Sequence, residues 1–278
     1  MAEILKLSII TPSFNHGRFL EKTILSVINQ DYSNVEYIII DGASKDDSVE
    51  IIRKYEKHIA YWVSEPDKDL RYAMQKGFAR ASGDVVAWQN ADDYYEENVF
   101  GQVMRVFREH PDVDLVYGNT NIVNEKGQQI DELCNIPLYS PLDIFGGMPL
   151  QNQSAFFRRS LWEKAGGIAF QELNYDVDLV FRIIRLAHPF FIRQVLGDYR
   201  SHAGSISFSG RGENLQRDPW VIRRRFMGKW SKLPGWCFAP AIVMAKVRRY
   251  VYLVCQGDWG YVLRHIKRIL NKTTATRR

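Results

Sequence analysis

Two adjacent carboxylates, Asp92 and Asp93, leave the apolar stretch Val85-Val86-Ala87-Trp88 by way of Asn90 and Ala91. Paired carboxylates at the exit of a buried strand offer hard oxygen ligands, the kind that hold Mg2+ or Mn2+ against phosphate oxygens. The same pair also serves as a turn or helix cap, so its meaning depends on its company. Asp41 closes a second apolar run, Val35 to Ile40, and Thr11-Pro12-Ser13-Phe14-Asn15 follows a third, Leu7 to Ile10. Farther along, Asp176 and Asp178 open a helical pattern, and His202 lies in Arg200-Ser201-His202-Ala203-Gly204-Ser205. Taken alone, these two carboxylates favour a helix N-terminus through the dipole. As a set, these types point to chemistry on a nucleotide diphosphate.

Such residues meet only if the elements before them are parallel strands. From Leu5 to about Asn119 short apolar runs alternate with helical spacing, the pattern of βαβ units. Helices are predicted over Arg18–Asn29, from Ser48 with Asp46 or Asp47 as its cap, over Leu70–Ala81 and over Asn98–Glu109. Strands are predicted at Ile59–Ser64, Val85–Gln89 and Leu115–Tyr117, and later at Ser154–Phe157 and Phe190–Leu196, with turns at Glu125–Gly127 and Gly146–Gly147. In an open α/β sheet, ligands bind outside the carboxyl ends of the strands. Thr11–Asn15, Asp41–Ser44, Glu65–Asp69 and Asn90–Asp93 all fall at such ends, so four segments are expected to line one crevice.

The 278 residues, 46% of them hydrophobic, suffice for one large α/β domain with appendages. Cys134, Cys237 and Cys255 have no paired spacing, which argues against a zinc site or a disulfide framework, and Met1–Lys6 lacks an apolar signal core. A reducing cytoplasm is the expected setting. The net charge of +5 conceals an asymmetry: 21 Lys and Arg face 29 Asp and Glu in residues 1–210, whereas 16 face three in residues 211–278. The two parts, at −8 and +13, are expected to meet different partners. The division read from this is 1–210, with halves 1–119 and 120–210, followed by a basic helical tail over 211–278, of which Asn271–Arg278 looks disordered.

The motifs resemble the inverting glycosyltransferases of family 2. The resemblance runs through Thr11-Pro12-Ser13-Phe14-Asn15, Asp41-Gly42-Ala43-Ser44-Lys45-Asp46, Ser64-Glu65-Pro66-Asp67-Lys68, Ala73-Met74-Gln75-Lys76-Gly77, Ala81-Ser82-Gly83-Asp84 and Asn90-Ala91-Asp92-Asp93. It continues through Gln153–Gly167, Tyr175-Asp176-Val177-Asp178-Leu179 with Arg182, and Tyr199-Arg200-Ser201-His202 with Ser205 and Ser207. It implies a GT-A fold, α/β with a mostly parallel sheet and helices on both faces, over residues 5–208. By that resemblance Thr11, Pro12, Phe14 and Asp41 hold the base and ribose of a nucleoside diphosphate sugar, uridine-linked, with Arg71, Asn90 and Ala91 beside them. Asp92 ligates Mg2+ or Mn2+, His202 approaches the metal or diphosphate, and Asp176 is the base. Asp178 is expected to pair with Arg182, and Gln153 to read the acceptor. Three positions depart from the family pattern: Asn90 and Tyr175 stand where it has acids, and Tyr72 where many relatives do.

Alternatives remain for single residues: Asp41 as a turn cap, Arg71 as a surface arginine, His202 as a solvated loop histidine. The implied acceptor is a saccharide or a lipid-linked saccharide. Cations mixed with Trp, Tyr and Phe in the tail suit an anionic membrane surface, and they equally suit the solvated face of a helical subdomain. No nucleic-acid module is recognisable, so nucleic acid is not an expected partner. A nucleotidyltransferase would show a Gly-rich basic loop after its first strand, which Thr11–Gly17 is not. A sugar-nucleotide-binding protein without turnover is the alternative outside enzymes.

Overall fold

The computed structural model describes residues 4–138, 150–170, 175–205, 232 and 235–275, with side chains up to 267. Its first half is the expected alternation. Strands β1 (Leu7–Ser13), β2 (Val35–Asp41), β3 (Tyr61–Ser64) and β4 (Val85–Trp88) are linked by helices α1 (Gly17–Ile28), α2 (Ser48–Lys54) and α3 (Leu70–Arg80). They pair in parallel, in the order β3-β2-β1-β4. Helical crossovers bury both faces of such a sheet, which explains the unbroken apolar runs. Ile10, Ile38 and Ile40 pack on one face with Met74 and Phe78 of α3, while Ile9, Tyr37 and Ile39 pack on the other with Leu20 and Ile24 of α1. The period of two along each strand feeds two cores. Gly77 lets α3 close onto β1, since a Cβ there would lie 2.4 Å from Ile10 Cγ2. Asp46 caps α2, its carboxylate accepting from the Ser48 N–H and hydroxyl, while Asp47 makes no side-chain cap.

The second half adds β5 (Tyr94–Tyr95), α4 (Val99–Glu109), β6 (Leu115–Val123), β7 (Gln129–Leu133), β8 (Ala155–Arg158), α5 (Arg159–Ala165), α6 (Tyr175–Leu186) and β9 (Pro189–Arg200). The sheet continues from β4 through β8, β6 and β9 to β5, with β7 beside β6. Antiparallel pairs enter here, at β4–β8, β8–β6, β6–β7 and β9–β5, while β6 and β9 run parallel. Two strands run longer than the sequence pattern predicts. The one placed at Leu115–Tyr117 continues through Gly118 and Asn119 to Val123, and the one placed at Phe190–Leu196 continues to Arg200. Gly and Asn interrupt the hydrophobic signal, but the paired backbone of the partner strand carries the ladder past them. The β9 extension brings residues 198–200 beside the acidic turn. The turn expected at Glu125–Gly127 links β6 and β7, with Gly127 at φ +78; that at Gly146–Gly147 lies outside the described residues.

Two further helices, α7 (Ala239–Cys255) and α8 (Trp259–Ala275), form a hairpin about Gly257. Phe238, Ala241, Ile242 and Ala245 lie against the core on the α3 side of the sheet. Leu253, Tyr261 and Val262 close on Cys134 and Ile136, just after β7. Helix α8 runs to Ala275, so the disorder expected from Asn271 is corrected for 271–275: Lys272–Ala275 carry no Gly or Pro to stop the helix. No described helix is long and apolar enough to cross a membrane.

Candidate active site

The turn between β4 and β5 carries the carboxylates, and they face opposite ways. Asp93 is 1% exposed. Its Oδ1 accepts the Arg200 N–H at 2.8 Å, and its Oδ2 accepts from Asn90 Nδ2 at 2.9 Å and Gln153 Nε2 at 2.7 Å. Burial and the neighbouring Asp92 charge raise its pKa, and the Gln153, Arg200 and Asn90 donors pull it back. The turn's backbone is also fastened: the Thr23 hydroxyl reaches the carbonyls of Ala91 and Asp93, and Arg200 Nε donates to the Asp92 carbonyl at 2.8 Å. Held this way, Asp93 is a structural anchor, and Asp92 alone projects toward the strand ends.

Two imidazoles meet Asp92. His202 Nε2 lies 3.0 Å from its Oδ2, and His16 Nε2 lies 3.8 Å from the same oxygen. One ligand atom from each of the three residues falls within 4.8 Å of the others. His202 is buried against the Phe19 ring, 4.8 Å between centroids, and its carbonyl accepts from the Ser205 hydroxyl. The Gly204 N–H approaches its Nδ1 at 3.2 Å, which favours the tautomer whose Nε2–H points at Asp92. Ligation through Nε2 would move that proton to Nδ1 and give up this long bond. Two imidazoles and a carboxylate are a nitrogen and oxygen set able to hold a divalent cation. His16 was not singled out in the sequence; the available signal was its place in the loop after β1, one of the four segments expected to converge.

The residues expected on the nucleotide side are fastened to one another. Asp41, fully buried at the end of β2, accepts from the Ser44 N–H at 2.9 Å, the Ser44 hydroxyl at 2.5 Å and the Ser64 hydroxyl at 2.7 Å. It therefore braces the 41–44 loop, where Ala43 takes φ +63. Asn15, at φ +55, donates its N–H to Ser44 Oγ and accepts from the Lys45 N–H, which joins this loop to the one after β1. Thr11 and Pro12 are buried, with the Thr11 hydroxyl 3.1 Å from that of Tyr37. The Ala91 side chain is buried as well. Buried as whole residues, these three support the loops around them and do not face solvent. Phe14, in contrast, is 57% exposed. Asp69 caps α3 through the Arg71 N–H and also binds the Arg71 guanidinium, whose Nη1 donates to the Phe170 carbonyl at 2.6 Å.

Asp176 lies in the first turn of α6, beside a crevice of about 310 Å3 lined by Trp88, Leu133, Asn152, Gln153, Val180 and Tyr199 among others. The residue is exposed and lines the crevice, while surrounding protein desolvates the carboxylate and raises its pKa against the pull of nearby backbone N–H groups. Asp178 is turned inward and paired with Arg182 at 2.8 Å, the expected i+4 contact. Gln153 is 3% exposed and its Nε2 donates to Asp93, while the residue also lines the crevice where it is expected to read the acceptor. Asn152 is the better placed amide, since its Nδ2 is buried with no hydrogen-bond partner among the described residues.

A parallel half-sheet, an acidic turn at its carboxyl edge and a carboxylate beside an adjoining crevice are the arrangement of a GT-A glycosyltransferase fold. The chain belongs to glycosyl transferase family 2, whose family model matches residues 8–162. An uncharacterized glycosyltransferase of Mycobacterium tuberculosis is 32% identical over 202 residues, covering 69% of this chain and 74% of that one. TuaG of Bacillus subtilis, whose name places it in teichuronic acid biosynthesis, is 27% identical over 245 residues, or 83% of this chain and 92% of its own. Among solved structures, the mannosyltransferase PcManGT of Pyrobaculum calidifontis, in complex with GDP-Man and Mn2+, aligns with a TM-score of 0.61 at 15% identity over 94% of this chain and 81% of its own. TarS of S. aureus with UDP-GlcNAc aligns at 0.59 and 16% identity over 79% of this chain, which spans 65% of that one. At such identities the structures show the shared fold.

Proposed function

We propose that this enzyme transfers a sugar from a nucleoside diphosphate sugar, uridine-linked, to a hydroxyl of a saccharide or lipid-linked saccharide, with inversion at the anomeric carbon. The observation that carries the proposal is the position of Gln153. The residue that donates to Asp93 under the acidic turn also walls the crevice beside Asp176, so the cation side and the base side belong to one site. Asp176 takes the proton of the acceptor hydroxyl, and desolvation by the surrounding protein makes it a stronger base than a fully solvated aspartate. The acceptor oxygen then bonds to the anomeric carbon as the bond to the diphosphate oxygen breaks. One displacement from the opposite face inverts the centre and needs no covalent enzyme intermediate.

Asp92, His202 and His16 are the residues that would hold a divalent cation, Mn2+ in preference to Mg2+, because imidazole suits transition ions and Mg2+ favours oxygen ligands and water. When bound, the cation neutralises charge on the departing diphosphate. Phe14 offers its exposed ring to the base, and the loop braced by Asp41 presents backbone groups to base and ribose, with Thr11 and Pro12 buried beneath it. Asn90 keeps its amide oxygen for a ribose hydroxyl, Ala91 sets the turn, and Arg71, oriented by Asp69, supplies a cation for the donor. That PcManGT and TarS are named with nucleotide sugars supports this class of donor. TuaG's name supports polysaccharide assembly as the setting, and we place the enzyme at the cytoplasmic face of the membrane.

The test is nucleoside diphosphate release from a panel of UDP- and GDP-sugars with Mn2+, Mg2+ or a chelator. Release should require metal and fall about a hundredfold or more in Asp92→Ala. Donor binding without release, across a broad acceptor panel, would instead identify a sugar-nucleotide-binding protein.

A further inference from the structure

The hairpin of α7 and α8 has an inner face that is accounted for and an outer face that is not. Inward, Ala241, Ile242, Leu253, Tyr261 and Val262 pack on the body of the protein. Arg248 and Arg249 donate to the carbonyls of Pro137 and Cys134. Outward, Val243, Met244, Val247 and Val251 recur at helical spacing along α7, with Trp259, Leu263 and Ile266 on α8; all are 43–63% exposed. More than half of the large hydrophobic residues exposed among the described residues thus lie on this one hairpin. A concentration of this kind marks an interaction surface.

Its charge selects the partner. Lys246, Arg264 and Lys267 are exposed among these apolar side chains. From residue 239 to 275 the sequence holds seven Lys and Arg against the single acid Asp258, which pairs with Arg193 at 3.0 Å. A second copy of the chain would bring like charge to the same surface. An anionic bilayer brings the opposite charge together with an apolar interior, matching both components of the face. Neither helix can span a bilayer, so contact is along the surface.

We propose that this outer face is a membrane-docking surface for anionic phospholipid headgroups, and that it sets the acceptor end of the crevice beside the bilayer. The second half rests on the transferase reading. Leu133 lines the crevice that holds Asp176, and Cys134 and Pro137, within four residues of it, are the carbonyls to which Arg249 and Arg248 are tied. Four residues reach at most about 14 Å, so a hairpin lying on the membrane keeps that wall close to the headgroups. A lipid-linked acceptor could then offer its hydroxyl while its chain stays in the membrane.

Vesicle flotation of the full chain tests the docking. Binding is expected to vesicles of phosphatidylcholine with phosphatidylglycerol and not to phosphatidylcholine alone, and to weaken with salt. Lys246→Glu should weaken partition about fivefold or more, and Val247→Asp with Leu263→Asp should abolish it. Because these positions are exposed and outside the site, the variants should keep the wild-type melting temperature and circular dichroism, which establishes that they are folded. Equal binding to both vesicle types, no binding to either, or a wild-type dimer that Val247→Asp turns into a monomer would overturn the proposal. The assay contains no donor, so failure of the transferase reading leaves its outcome unchanged; docking that gives no gain in turnover on a vesicle-borne over a soluble acceptor would remove the second half alone.

Discussion

Asp93 and Asp176 are both aspartates whose pKa burial has raised, yet they occupy opposite kinds of surroundings. Three donors satisfy Asp93, on a turn fastened from α1 and β9. Asp176 opens onto a crevice with largely apolar walls, near an amide of Asn152 that has no partner among the described residues. The difference teaches that a perturbed carboxylate is not by itself a functional one. A group whose acceptor sites are filled by its own fold holds structure, and one that burial perturbs but leaves open is available for chemistry.

The comparison can be broken most directly at Asp176. Asp176→Asn should reduce transfer by a factor on the order of 10² to 10⁴ without altering donor affinity, as measured by single-turnover kinetics beside donor titration. The pH dependence has a definite sign. A folded-state pKa raised above the unfolded value means the native state binds more protons, so this residue's contribution to stability falls as pH rises from the unfolded to the folded pKa. Asp176→Asn should therefore melt higher than wild type at neutral pH, with the gain vanishing at acid pH where both are uncharged.

A smaller but contrary effect is expected at the other pole. Gln153→Leu removes a donor to buried Asp93 and should lower stability by about 1–3 kcal/mol in urea titrations. It should also impair metal-dependent donor binding, because the turn that aims Asp92 loosens. A Gln153→Leu protein with wild-type melting would show that Asp93 is not the anchor described.

The smallest effect belongs to His16. His16→Gln should leave fold and donor turnover with Mg2+ largely unchanged, while reducing Mn2+ affinity by about tenfold, read by calorimetry on the enzyme without donor. Unchanged Mn2+ affinity would reduce the cation site to Asp92 and His202.

Much of the fold could be read along the chain. The runs Leu7–Ile10, Val35–Ile40 and Val85–Trp88 are buried on both faces, so they announce themselves as parallel strands, and the apolar spacing of α1, α3 and α4 follows from packing a single face. Strand β7, half exposed with no alternation, and the two-residue β5 carry no such signal. Strand β7 exists through its hairpin with β6, whereas β5 depends on β9 far along the chain, as the reach of β9 past Gly197 depends on β6. That glycine lies so close to Gln153 that an added Cβ would come within 2.1 Å of its carbonyl oxygen. Of the site, Asp92, Asp176 and His202 were visible as residue types at the ends of elements, and Asp178 with Arg182 as a helical pair. His16 and the anchoring role of Gln153 were not, since nothing local distinguishes them.

By itself, then, the amino-acid order determined the class of fold, the family and the short list of candidate side chains, because hydrophobic period and strand-end chemistry are written within a few residues of one another. Only the tertiary structure decided which acids are filled and which are open. Asp93 meets Gln153 across 60 positions and Arg200 across 107, and Asp92 meets His202 across 110. Hydrogen-bond satisfaction is a property of neighbours in space, and neighbours in space are what the order of residues does not state.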